Sequence, residues 1–267
     1  MHLPSEPSFH NFKDRCICCE ESNKEMNREH IFPQWLLKMT NTEQDMFSSP
    51  YGKVPGKTYT LPLCKDCNSK LGSELEVPVS RIFKSIESGN GFNDYDAELL
   101  ARWIWKINGM FYWSFCNENW KYGYITLKEH VLSRIMHPRD RISIAVSLIE
   151  DPIEDFGCAP VGVDAVPLYS NVYGVGVFSK ICIVVFLSQF SHYFDEKIWT
   201  VYRLSNSPMV LNPNNKIYPK AGFKTGREAI SFIKLFYGND SRIYRDHEVV
   251  ALTQKAKISQ QQQLSYK

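Results

Sequence analysis

The spacing of hydrophobic and polar positions changes character along the chain and marks out its elements. Arg28–Leu37 alternates and then turns apolar, which predicts a short strand ending near Pro33. Residues 38–57 carry Asn, Thr, Ser, Gly and Pro and read as a loop. Lys57–Leu63 alternates with period two, setting Tyr59, Leu61 and Leu63 on one side, and predicts a second strand. A helix opens at Asp66–Ser69, with Leu71, Leu75, Val79, Ile82, Phe83 and Ile86 at roughly helical spacing. Pro78 lies inside that pattern and predicts a kink or split, because proline has no N–H and its ring clashes with the preceding turn.

The segment SGNGFND (Ser88–Asp94) reads as a linker. Beyond it, Ala97–Cys116 is apolar almost all round and predicts a long buried helix. Residues 141–210 are strand-rich, with RISIAVSLI, NVYGVGVF, KICIVVFLS and IWTVYRL separated by Pro, Gly, Asn and Asp clusters. Arg227–Gly238 predicts an amphipathic helix stopped by Gly238 and Asn239, residues 1–13 an irregular lead-in, and ISQQQQLSYK a frayed tail. The fold class is α+β, organised as a small module over residues 1–90 and a larger α+β domain over 91–267.

Composition is that of an ordinary globular chain, 43% hydrophobic and 22% charged. The longest apolar run, Ile181–Leu187, is too short to span a bilayer, so no membrane partner is expected. Pro4, Glu6, Pro7 and His10 interrupt the N-terminus where a leader would be apolar, and a cytoplasmic, reducing location is expected. Net charge is only +2, but residues 216–267 hold ten basic side chains against four acidic ones and could contact phosphate. A solvated basic tail explains that surplus equally well, so nucleic-acid binding has to be argued from a site.

In a reducing compartment, C-x-x-C pairs point to metal rather than disulfide. Cys16, Cys19, Cys64 and Cys67 form two such pairs, and four thiolates suit tetrahedral Zn²⁺. Cys18 offers a second choice inside CICC, but Cys16 with Cys19 keeps the two-residue gap and leaves Cys18 a bystander. Four thiolates leave no open position for water, so this zinc is structural and any chemistry needs other groups. Cys116, Cys158 and Cys182 sit in apolar surroundings and read as core thiols.

Those other groups stand between and beside the pairs. The order C-x-x-C, EHIFPQW, LCKDCN and then a helix resembles the HNH endonuclease family, in the subgroup whose zinc knuckles scaffold a ββα-metal core. The resemblance covers about residues 14–88. It implies that His30 is the general base, that Glu29 and Asn68 hold a catalytic Mg²⁺ or Mn²⁺, and that the products carry 5′-phosphate and 3′-hydroxyl ends. The physical chemistry agrees, since a histidine titrates near neutral pH and hard oxygen donors suit Mg²⁺.

One position departs from the family. KTYTLPLC before the second knuckle lacks the asparagine that orients the base, so Thr58 or Thr60, through a hydroxyl or a backbone carbonyl, is expected to take that role. Lys70 could touch a phosphate, although a solvated helix lysine is the simpler reading. Glu74 and Glu76 could support the site, although a plain exposed helix face is the simpler reading. Trp35 is expected to pack on the metal module. Trp103, Trp105, Phe111, Tyr112 and Trp113 could stack bases but read as core. The remaining histidines have no comparable context and read as structural.

The functional expectation is a metal-dependent nuclease acting on nucleic acid, foremost DNA, whose C-terminal domain selects substrate or mediates a protein or homo-oligomeric contact. The alternatives are a non-catalytic zinc module binding nucleic acid or protein, which has no need of Glu29, His30 and Asn68, and an RNA-directed nuclease with the same site.

Overall fold

The computed structural model describes residues 15–49, 52–116, 126–132, 142–151, 161–164, 172–204 and 212–232. The expectations for residues 1–13, Cys158, Gly238 and the tail lie outside the described residues, as do the side chains of Tyr112, Trp113 and Cys116.

Strand β1 (Met26–His30) pairs antiparallel with β4 (Thr60–Cys64), His30 lying opposite Thr60 and Met26 opposite Cys64. Helix α2 (Lys65–Leu71) continues from β4 without a break. The 29 residues between the paired strands are more ordered than a loop. After Pro33, helix α1 (Gln34–Thr40) buries Leu36, Leu37 and Thr40, and Asn41 ends it in the left-handed region at φ 56°. A hairpin of β2 (Met46–Ser49) and β3 (Gly52–Pro55) comes next. Phe47 packs on Phe32 with ring centroids 4.7 Å apart. Tertiary contact through Phe47, with Gly56 close beneath its ring, orders a stretch whose local composition signals only a loop.

The helix expected beyond Asn68 is split, as Pro78 implies. Residues Gly72–Glu76 form a π-helical turn, and α3 (Val77–Glu87) begins with Pro78 in its first turn. The wider turn adds a residue to the repeat and rotates the downstream side chains about the helix axis. Its consequence is a correction: Glu74 is exposed as expected, but Glu76 is buried, with 7% of its surface accessible.

Helix α4 (Asp94–Cys116) starts at a reciprocal cap, in which the backbone N–H of Asn93 donates to Asp96 Oδ2 and that of Asp96 to Asn93 Oδ1 (2.9 and 3.0 Å). The short α5 (Leu127–Leu132) packs beside it, and its Lys128 N–H donates to the Cys18 carbonyl at 2.9 Å. Six strands make the large sheet: β5 (Ile142–Asp151), β6 (Val161–Asp164), β7 (Val172–Phe178), β8 (Ile181–Leu187), β9 (Thr200–Arg203) and β10 (Lys220–Thr225). β8 borders one edge of β5, while β9 pairs with its first half and β10, in parallel, with its second.

Both faces of this sheet are covered, which explains why ICIVVFL reads as a continuous apolar run. Ile181, Ile183 and Val185 face one cluster, which extends from Cys16 to Leu204, and Cys182, Val184 and Phe186 face another around Trp199. Cys182 is therefore the core thiol expected, its pKa pushed up by burial. Trp103 and Trp105 are likewise buried, at 0% and 1% exposure, so they are core rather than stacking surfaces. Helix α4 lies between the β1–β4 pair and the sheet. Its Trp103 touches Phe178 of β7 at 4.8 Å and Trp35 of α1 at 5.8 Å, and the apolar cluster crosses the Ser88–Asp94 segment without a break.

Candidate functional site

Two tight turns converge on one point. The Cys16 carbonyl accepts from the Glu20 N–H at 2.8 Å, the Cys16 N–H donates to the Glu21 carbonyl at 3.0 Å, and this folds Cys16–Cys19 around a single spot. On the other side Cys64 ends β4, and its Sγ accepts from the Cys67 N–H at 3.4 Å as α2 begins. The four sulfurs of Cys16, Cys19, Cys64 and Cys67 all lie within 4.8 Å of one another. Cys19 Sγ and Cys64 Sγ are 3.9 Å apart. A tetrahedron with Zn–S of about 2.3 Å has sulfurs roughly 3.8 Å apart, so the cluster is positioned to hold a metal ion and is compatible with structural zinc.

Without a cation these groups resist ionisation. Hydrogen bonding to Cys67, then burial, pushes the Cys16 thiol up to about 12, and burial pushes Cys19 up to about 11. A central dication reverses that penalty by pairing with the thiolates. Cys18 is buried beside the cluster but outside its convergent set.

His30 occupies the end of β1, and its Nε2 lies 3.0 Å from the carbonyl of Lys57. A carbonyl oxygen only accepts, so Nε2 carries the hydrogen and the neutral ring keeps its lone pair on Nδ1. The expected role of Thr58 or Thr60 thus passes to a neighbour. The Thr58 hydroxyl donates to the Pro55 carbonyl at 2.9 Å, while the single turn of 3₁₀ helix over Gly56–Thr58 leaves the Lys57 carbonyl available to the ring. The amide nitrogen of Gln34, the first residue of α1, lies 3.4 Å from the same nitrogen; both carry hydrogen, so Gln34 is a neighbour of the ring and not its acceptor. Sequence reasoning missed Lys57, which carries no residue-type signal, only its nearness to Thr58.

Glu29 precedes His30 on a strand, so its side chain leaves the opposite face. Its Oε1 receives the ammonium of Lys106, which is wholly buried on α4. Lys106 also donates to Glu76 Oε1. Glu76 Oε2 accepts from the indole N–H of Trp35 at 2.8 Å and of Trp103 at 3.1 Å. Trp35 packs on Phe83 of α3, within residues 1–90 as expected, and on Trp103 of α4, with the polar tie to Glu76 in addition. Burial alone would push the Lys106 ammonium down; Glu76 and then Glu29 outweigh it and hold its pKa above the ordinary lysine range. One signal could have exposed this network: Lys106 is the only charge in the apolar stretch Trp103–Cys116 and needs counter-charges.

Asn68, in the middle of α2, donates through Nδ2 to the carbonyl of Arg28 at 3.4 Å. Its Oδ1 accepts no hydrogen bond among the described residues. The same holds for Glu29 Oε2, whose side chain keeps 13% of its surface exposed. Two hard oxygens, one on β1 and one on α2, therefore accept no hydrogen bond among the described residues, the donor chemistry a small divalent cation takes. Among the described residues, only the four cysteines bring three or more His, Cys, Asp or Glu ligand atoms together. Lys70 is exposed and has no ion pair among the described residues, as a solvated helix lysine would be. No helix among the described residues is long and apolar enough to cross a membrane.

Comparison of the chain with protein-family models, with curated proteins and with solved structures finds no match.

Proposed function

We propose that the chain is a metal-dependent endonuclease of the HNH type, in which a structural zinc on Cys16, Cys19, Cys64 and Cys67 holds a ββα-metal module and His30 activates water against a phosphodiester. The observation that carries this reading is the hydrogen bond that orients His30. With Nε2–H committed to the Lys57 carbonyl (3.0 Å), Nδ1 is the ring nitrogen left to take a proton at the end of β1, as a general base requires. The reading is supported by the antiparallel pair of β1 and β4 running into α2, with Cys64 and Cys67 at the β4–α2 junction and Cys16 and Cys19 drawn in to them.

In the reaction, His30 Nδ1 takes a proton from water as the water oxygen bonds to phosphorus. The bond from phosphorus to the 3′ oxygen breaks, and that oxygen leaves with a proton from solvent, giving 5′-phosphate and 3′-hydroxyl ends. Glu29 Oε2 and Asn68 Oδ1 are the residues that would hold Mg²⁺ or Mn²⁺, and the ion supplies charge neutralisation at the phosphate and the departing oxygen. The Lys57 carbonyl orients the base. DNA is the first substrate class. A second reading is a zinc module that binds nucleic acid or protein without cutting it, in which the Glu29–Lys106 ion pair would be a purely structural tie.

Incubation of the purified protein with supercoiled plasmid, linear duplex, single-stranded DNA and RNA, with Mg²⁺ and then with EDTA, decides between them. Metal-dependent nicking of the plasmid is expected. Cleavage of RNA alone would reassign the substrate, and no cleavage of any substrate under any divalent metal would favour the binding module.

A further inference from the structure

Lys106 comes from outside the segment that carries the zinc and His30, and it has no exposed surface at all. A buried ammonium is costly unless its partners are placed for it. Here both partners are, and both belong to the segment around the candidate site: Glu29 stands next to His30, and Glu76 lies in the π-helical turn after α2. Glu76 is itself pinned by two indoles, one from α1 and one from α4 (2.8 and 3.1 Å). Every group behind Glu29 is therefore fixed, and the fixed groups take only its Oε1. Oε2 is the atom left over.

We propose that Lys106, held by Glu76, is a positioning residue for the divalent ion: it anchors Glu29 through Oε1 so that Oε2 is the oxygen offered as ligand. This rests on the nuclease reading of the same site. It makes α4 part of the site, so that the region beyond residue 90 supplies a piece of the metal centre and does more than select a substrate. The π-helical turn acquires a purpose in the same scheme, because it is what brings Glu76 inward to face Lys106. Outer partners of metal ligands commonly change metal affinity by roughly 10–100-fold when removed.

The test uses the full-length zinc-loaded protein and Mn²⁺ as the probe, read by electron paramagnetic resonance titration. Removing Lys106 alone leaves two carboxylates facing each other in the interior. The paired variant Lys106→Met/Glu76→Gln therefore accompanies Lys106→Met, and zinc content and thermal unfolding report whether each folds. The wild type is expected to bind Mn²⁺, Glu29→Gln to lose it, and the folded paired variant to bind roughly 10–100-fold more weakly. Its kcat is expected to fall with KM for duplex DNA unchanged, and Lys106→Arg to recover part of the Mn²⁺ affinity. A folded paired variant with wild-type Mn²⁺ affinity overturns the inference and leaves the nuclease reading standing. A wild type that neither binds Mn²⁺ nor cleaves overturns both.

Discussion

Cys64 and Thr60 lie four residues apart on β4, yet one closes a sulfur cluster and the other faces the histidine across the strand pair. The sulfur cluster is buried, and each of its two halves is a local turn with its own hydrogen bonds. The surface around His30 is open and depends on distant partners: Lys57 lies 27 residues away from His30, and Lys106 lies 77 from Glu29. Local chemistry thus builds the part that holds the fold, and long-range packing builds the part proposed to do the work. Substitutions should separate the two.

The largest effect is expected at the sulfurs. Cys16→Ser or Cys64→Ser should remove the metal, and zinc bound by four such ligands is worth on the order of 10 kcal/mol to a small module. That is comparable to the whole stability of a domain. Loss of zinc by elemental analysis together with loss of the cooperative unfolding transition is expected. A Cys64→Ser protein that keeps full zinc and full stability would show that the cluster is not a metal centre.

Next comes the buried lysine. Lys106→Met leaves Glu29 and Glu76 without their cation, and breaking a buried pair in this way costs about 3–5 kcal/mol. Urea denaturation should show that drop while zinc stays bound, because no cysteine touches Lys106. Should Lys106→Met be as stable as the parent, the ion pair would not tie α4 to β1.

The smallest effect is expected at Cys18. It is fully buried beside the cluster but lies outside the convergent four, so Cys18→Ala should retain one zinc and lose about 1 kcal/mol of packing. A fall in zinc stoichiometry in this variant would mean that Cys18, rather than Cys16 or Cys19, completes the tetrahedron.

The same contrast decides what could be read from residues alone. The thiolate pairs were legible because ligand spacing is a property of one turn. Strand β4, helix α2, helix α4 and strands β5, β7, β8 and β9 were legible because their patterns extend over several residues, whereas the short β6 and the exposed, Gly- and Lys-containing β10 were not. Helix α1 and the β2–β3 hairpin were not, because Pro, Gly, Asn and Ser in residues 38–57 signal a loop while Phe32, Leu37 and Phe47 order it from a distance. Glu76 was misplaced because one π-helical turn shifts a register that helical spacing assumes is constant. The acceptor for His30 was anticipated as Thr58 or Thr60, through a hydroxyl or a backbone carbonyl, and it is instead the backbone of Lys57, which carries no residue-type signature.

The central claim is that the sulfurs hold the fold and His30 performs the chemistry. It is tested most directly by plasmid cleavage by His30→Ala, with zinc content measured on the same sample. Loss of a general base lowers rates by roughly 10²–10⁴-fold, so the variant should keep its zinc and lose Mg²⁺-dependent nicking by that factor. Robust cleavage by zinc-loaded His30→Ala would contradict the account.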